Sequence, residues 1–207
     1  MMSKRALTAL ILILSLLLSL FAMTSCDRSY ERDEVIRAAE ELLPTARMLY
    51  SVYYGNGIGY ISSGYSDGDY READFMHLRE LGFDSVYELK NISYATFSEK
   101  YCQNIFSNYL ESYEADDVVY NYARYVQVDG VDSYILVYKD HEPVFEDRMT
   151  YHLETINDIE AKGDFVHMSV EVTIEDGDGN SRRTTLRFTL YEEKAGWRIA
   201  SPCFANY

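Results

Sequence analysis

The 207-residue sequence predicts an α+β fold. Three observations predict it. Apolar residues recur at three- and four-residue steps over 33–53 and again over 85–110, the period of amphipathic helices. Strict alternation runs through Val166, Met168, Val170, Val172 and Ile174, and through Leu186, Phe188 and Leu190, the period of half-buried strands. Turn signals at Lys162-Gly163, Asp176–Asn180 and 194–196 separate the later segments. Helices first and hairpin-linked strands afterwards is the order of an α+β domain, with the N-terminal helices packed on a curved antiparallel sheet. Cystatin-like and NTF2-like folds are built in this way.

Residues 1–25 read as an export signal. Lys4 and Arg5 form a basic start, an apolar run follows to Met23, and the small residues Thr24 and Ser25 precede Cys26. Met23-Thr24-Ser25-Cys26 resembles a bacterial lipobox, with Met in place of the usual Leu. Cleavage before a diacylglycerol-modified Cys26 would leave the chain anchored by acyl chains, each buried methylene contributing about 0.8 kcal/mol. Residues 26–32 are then the lipidated cysteine and a short polar tether, and 33–207 a single domain on the outer face of the cytoplasmic membrane. A domain of that size buries roughly 70% of its unfolded surface.

From Asp33 the stripe Ile36, Ala39, Leu43, Ala46, Leu49, flanked by Leu42 and Tyr53, predicts the first helix. Pro44 removes the bond to the Glu40 carbonyl, which predicts a kink or a second helix beginning there. Residues 55–70 are rich in Gly, Ser, Asp and Tyr and read as a loop. Ser85 and Glu88 form a capping box for a helix carrying Val86, Leu89 and Ile92 on to about Phe97. Ser98 caps a further helix with Tyr101, Ile105 and Tyr109. Strands are expected at about 122–129, 133–139, 149–160, 164–175, 182–191 and 197–204.

Charge and composition narrow the function. Removing the signal leaves 17 Lys and Arg against 34 Asp and Glu, a formal charge of −17. Such a surface repels phosphate backbones, which excludes nucleic acid as a partner. None of His77, His141, His152 and His167 is spaced four residues from another, as a helical zinc pair requires, and a turn at Lys162-Gly163 places His167 opposite about Asp158. Asp176, Asp178 and Asn180 begin like a calcium loop, but Ser181 and Arg187 stand where glycine and glutamate are needed. No Gly-x-Ser-x-Gly elbow, Cys-His signature or phosphate loop is present. These features favour a non-enzyme without metal or cofactor. Cys102 and Cys203 can form a disulfide in an exported protein or remain two buried thiols.

The segment ELLPTARMLYSVYYGNGI (41–58) and the segment GFDSVYELKNISYATFSEKYCQNIFSNYL (82–110) resemble the opening helix, Gly-rich loop and following helix pair of the IseA-type DL-endopeptidase inhibitors of Firmicutes. The resemblance implies a protein that binds the catalytic domain of cell-wall DL-endopeptidases, cysteine hydrolases of peptidoglycan stem peptides, and blocks the substrate cleft. A lipoprotein signal is a departure from a freely secreted inhibitor. With 20 tyrosines in the chain, aromatic anchors are available for docking. Tyr60, Tyr65, Asp67, Asp69 and Tyr70 are the contact candidates, because a Gly-punctuated loop enters a cleft that a helix cannot. The alternative is a small-molecule-binding lipoprotein with an NTF2-like cup between helices and sheet.

Overall fold

A computed structural model describes residues 30–115, 118–130, 133–141, 148–175 and 178–204, with the backbone alone at 115 and 118–120. The expected export signal, Cys26 and residues 27–29 of the expected tether lie outside these residues. No helix among them is long and apolar enough to cross a membrane.

The first helix, α1 (Arg32–Tyr53), is the spine of the domain. Its buried stripe is Val35, Ala39, Leu43, Ala46, Leu49, Tyr50, Val52 and Tyr53, so the turn begins on Val35 while Ile36 is only half-buried. Pro44 lies within the helix on its exposed side, and no second helix starts there. The buried residues before and after it belong to one core, which holds the helix together across the lost backbone bond.

The segment expected to be a loop contains a small hairpin, β1 (Ser66–Asp67) and β2 (Tyr70–Glu72). It is followed by a short helix with no counterpart in the expected elements, α2 (Phe75–Leu81). Asp74 caps α2 by accepting the Met76 N–H, and Gly82 ends it at a φ of 83° that favours glycine. In α3 (Val86–Thr96) the Ser85 hydroxyl accepts the Glu88 N–H, while the Glu88 carboxylate reaches back to the Asp84 N–H. The last helix is α4 (Glu99–Tyr109). Ser98 precedes it without a side-chain capping bond. Its N–H goes instead to the Ile199 carbonyl, tying the α3–α4 junction to the sheet.

All named strand pairs are antiparallel. β3 (Tyr113–Ala115) and β4 (Val118–Asn121) form a two-stranded ribbon. The remaining strands divide between two sheets rather than joining one. β5 (Tyr125–Val128) and β6 (Tyr134–Tyr138) extend the first hairpin in the order β1-β2-β6-β5. β7 (Arg148–Lys162), β8 (Phe165–Glu175), β9 (Ser181–Glu193) and β10 (Gly196–Ile199) form a meander in the order β10-β9-β8-β7. The fold class is therefore α+β, with β1 and β2 inserted among the helices.

The β7–β8 turn falls at Gly163-Asp164, one residue later than expected, so His167 pairs with Glu160 rather than Asp158. Further back β7 carries extra residues between His152 and Asn157 and again before Glu160. At the second irregularity Asp158 has a φ of 52° and accepts a hydrogen bond from the Ser169 hydroxyl at 2.8 Å. At the first, the Thr155 hydroxyl accepts the Glu171 N–H that the ladder has lost.

The C-terminus of α1 is joined to the small sheet by two consecutive residues. Arg124, 3% exposed, donates from Nη1 to the Tyr53 carbonyl and from Nη2 to the Gly55 carbonyl, each at 2.6 Å. The Tyr125 hydroxyl donates to the Val52 carbonyl at 2.6 Å and accepts the Ile58 N–H at 3.1 Å. Gly57 sits under both side chains at a φ of 72°, where a Cβ would collide with the guanidinium and the phenol. Gly57→Ala combines backbone strain with that collision. It is expected to lower the unfolding free energy by about 2 kcal/mol or more, read from the urea midpoint at unchanged slope.

Candidate functional site

The β1–β2–β6 sheet carries a run of tyrosines on its surface. Tyr70 pairs with Tyr138 across β2 and β6, their ring centroids 5.5 Å apart. Tyr122 stacks on Tyr138 at 4.9 Å with 7° between ring planes. Tyr65 meets Tyr134 edge-on at 5.6 Å. Tyr65 and Tyr122 are 53% and 43% exposed, so both rings offer apolar area to a partner.

The sequence candidates are gathered here but differ in what they can still do. Tyr65 and Asp67 are exposed at the hairpin. Asp69 is engaged within the protein: its carboxylate meets Lys139 Nζ at 2.9 Å and holds that ammonium above its ordinary value, while its carbonyl accepts the Lys139 N–H. Asp69 therefore pins the hairpin to β6. The Tyr70 hydroxyl is likewise committed to the Ala123 carbonyl at 2.8 Å. Tyr60 forms a single bridge to Ala73 on the β2 edge that β1 also occupies, with its ring exposed. Glu72 organises that edge by accepting the Tyr65 N–H through its carboxylate and the Ile61 N–H through its carbonyl.

Sequence reasoning passed over Tyr122, Tyr134 and Tyr138. The signal was the alternation Tyr134, Leu136, Tyr138, which puts both rings on one face of β6.

Beside this face a cleft of about 530 Å³ opens between α2 and the start of β6. Phe83 lies at its wall, and Arg79, Glu72 and Glu88 give it charged groups. A second cleft, of about 750 Å³, lies between α4 and the large sheet, with Tyr101, Phe165 and Tyr191 among its lining residues.

The other candidates are dispersed. His77 accepts the Gly59 N–H, while His152 and His167 pair with Thr173 and Thr189 hydroxyls on the large sheet. Among the described residues no group of three or more His, Cys, Asp or Glu side chains is placed to hold a metal ion. Cys102 and Cys203 are free thiols rather than a disulfide. The Cys102 thiol is directed at the Phe97 carbonyl, and the Cys203 thiol at the Tyr50 hydroxyl 3.3 Å away. Burial pushes the first up to about 12 and the second to about 11, so neither is a nucleophile at neutral pH.

His141 lies within the electrostatic reach of Arg124, its ring 5.9 Å from that of Tyr109. Its Nε2 and the Arg124 Nε are both buried without a hydrogen-bond partner among the described residues. Burial, with the Arg124 charge added, depresses the imidazole to about 4. The unfolded chain takes up this proton near 6.5. Between the two values it therefore binds more protons than the folded chain, and stability falls as pH falls. His141→Gln is expected to lose less unfolding free energy than the parent between about pH 7 and about pH 4.5, measured by urea titration at each pH.

No family model, curated protein or solved structure matches the chain.

Proposed function

We propose that this chain is an exported, lipid-anchored binding protein that docks on the catalytic domain of a peptidoglycan DL-endopeptidase and blocks its substrate cleft. The observation that carries this reading is the tyrosine face of the small sheet, where exposed rings are held in fixed pairs by a hydrogen-bonded hairpin. Rigid aromatic groups lose little entropy on docking and are the usual energetic anchors of protein interfaces. The resemblance of 41–58 and 82–110 to IseA-type inhibitors supplies the partner class, and the lipobox at Cys26 supplies the membrane anchor. The strongly acidic surface speeds encounter with a basic partner. The reading assigns the chain no catalysis and no cofactor.

In this proposal the large sheet bends around α1 in a cystatin-like manner. The extra residues in β7 and the left-handed Asp158 support a bend, because bulges increase strand twist and turn a strand. A small-molecule cup between helices and sheet has less support. Tyr50, Leu43, Leu49, Phe97 and Phe188 already bury their side chains in one core.

The test is to add the purified protein to a DL-endopeptidase and follow stem-peptide cleavage. Saturable loss of cleavage is expected, and cleavage undiminished at large excess would sink the proposal. The double variant Tyr65→Ala, Tyr122→Ala is expected to need at least about tenfold more protein for the same inhibition, since anchors of this kind cost about 2 kcal/mol when truncated. Its unfolding midpoint should stay close to that of the parent.

A further inference from the structure

Tyr30 is held firmly at the N-terminal end of α1. Its ring packs edge-on against Trp197 at 4.8 Å, and its hydroxyl donates to the Gly163 carbonyl at 3.2 Å. The same end is fastened by Trp197 Nε1 donating to Glu34 at 3.0 Å and by Arg32 donating to Asn157 at 3.3 Å. The chain therefore leaves the domain beside the β7–β8 turn. The β9–β10 turn lies at that end too, because β9 and β10 continue the same antiparallel meander.

Only three residues lie between Cys26 and Tyr30, and the four steps from one to the other reach at most about 14 Å when fully extended. The opposite end of the domain is set by α1, whose 22 residues span about 33 Å. Its C-terminus is where Arg124 and Tyr125 attach the small sheet. The β7–β8 and β9–β10 turns and the attachment of the tyrosine-bearing small sheet thus sit at opposite ends of α1.

At the tether end stands Phe165, the first residue of β8, 44% exposed and stacked on Tyr191 with 4.8 Å between centroids. It forms a ridge between two clefts, one against α4 and one beside Lys162 and His167.

We infer that the β7–β8 and β9–β10 turns form the membrane-facing end of the domain, with Phe165 resting in the headgroup region of the bilayer and α1 holding the tyrosine face away from it. This rests on the lipid anchor at Cys26 proposed above. A tether of about 14 Å brings its own end of the domain to the surface and keeps an end about 33 Å further along clear of it. An aromatic ring backed by a second ring suits the interface, where an apolar body meets polar headgroups. Charge does not drive the seat: Lys162 and Lys194 at the two turns stand among Glu160, Asp164, Glu192 and Glu193. The seat therefore depends weakly on anionic lipid, and the acyl anchor supplies the attachment.

The test uses the full acylated chain reconstituted into phosphatidylcholine vesicles, with and without phosphatidylglycerol. A single environment-sensitive fluorophore is placed at Phe165→Cys, at Lys194→Cys or at Tyr65→Cys. Cys102 and Cys203 are buried and do not compete for the label. Blue-shifted emission and at least several-fold slower quenching by an aqueous reductant are expected at 165, with protection at 194 and none at 65, in both lipid mixtures. Equal quenching at 165 and 65 would overturn the end-on seat, as would protection at 65. Intact mass separates the two layers of the proposal. A chain lacking the diacylglycerol on Cys26 overturns the anchor itself, whereas an acylated chain with an accessible 165 overturns only the seating.

Discussion

Everything in this domain turns on how the C-terminus of α1 is finished. A helix ends with four carbonyls that lack intrahelical donors, and here each finds one. The Tyr50 carbonyl receives the N–H groups of Tyr54 and Gly55, the Ser51 carbonyl that of Gly57, the Val52 carbonyl the Tyr125 hydroxyl, and the Tyr53 carbonyl the Arg124 guanidinium. Burying a cation is costly unless it is well paired. Arg124 is paired with backbone carbonyls at the negative end of the helix dipole, where positive charge is favourable. The arrangement also explains the glycine spacing, since a side chain at Gly57 would occupy the space of the two groups that cap the helix.

The clamp sets the relation between the two sheets. Arg124 immediately precedes β5 and Tyr125 is its first residue, so these two side chains attach the small sheet to the end of α1. The large sheet packs along the helix through β7 and β10. Within the small sheet, the Lys139–Asp69 pair and the Glu72–Tyr65 bond keep the first hairpin in register on β6. The exposed ion pair contributes little energy by itself. Its value lies in geometry, because it fixes which rings share a face.

The parts legible in the sequence are those where one periodicity persists. The α1 stripe and the alternation of β8 span many residues and pack against the core along their length, and Phe188 and Leu190 carry the same pattern in the second half of β9, so chain pattern and burial coincide there. The α2 helix was hidden because only Leu78 of its seven residues is buried, leaving Asp74 and Gly82 as its signals. The extra residues of β7 break the alternation between Met149 and Ile156, and no local feature marks their number. The site was half legible. A Gly- and Tyr-rich stretch marks out Tyr65 and Tyr70, but the sequence does not show that the Asp69 charge is consumed by Lys139. Nor does it select Tyr122, Tyr134 and Tyr138 among 20 tyrosines, because strand register decides which rings meet. Arg124 is least legible of all: a lone arginine reads as a surface charge until a helix end some 70 residues earlier is placed against it.

The same distances in sequence govern the order of assembly. Synthesis delivers α1 first, yet its carbonyls wait for residues 124 and 125, its Tyr50 hydroxyl for the Cys203 N–H 153 residues away, and its Glu34 for the Trp197 indole 163 residues away. Contacts that close loops of this length form late and together. The helix at the start of the domain thus depends at both ends on contacts supplied by its final segment, and a chain shortened by the last strand would leave Glu34 and Tyr50 without those partners.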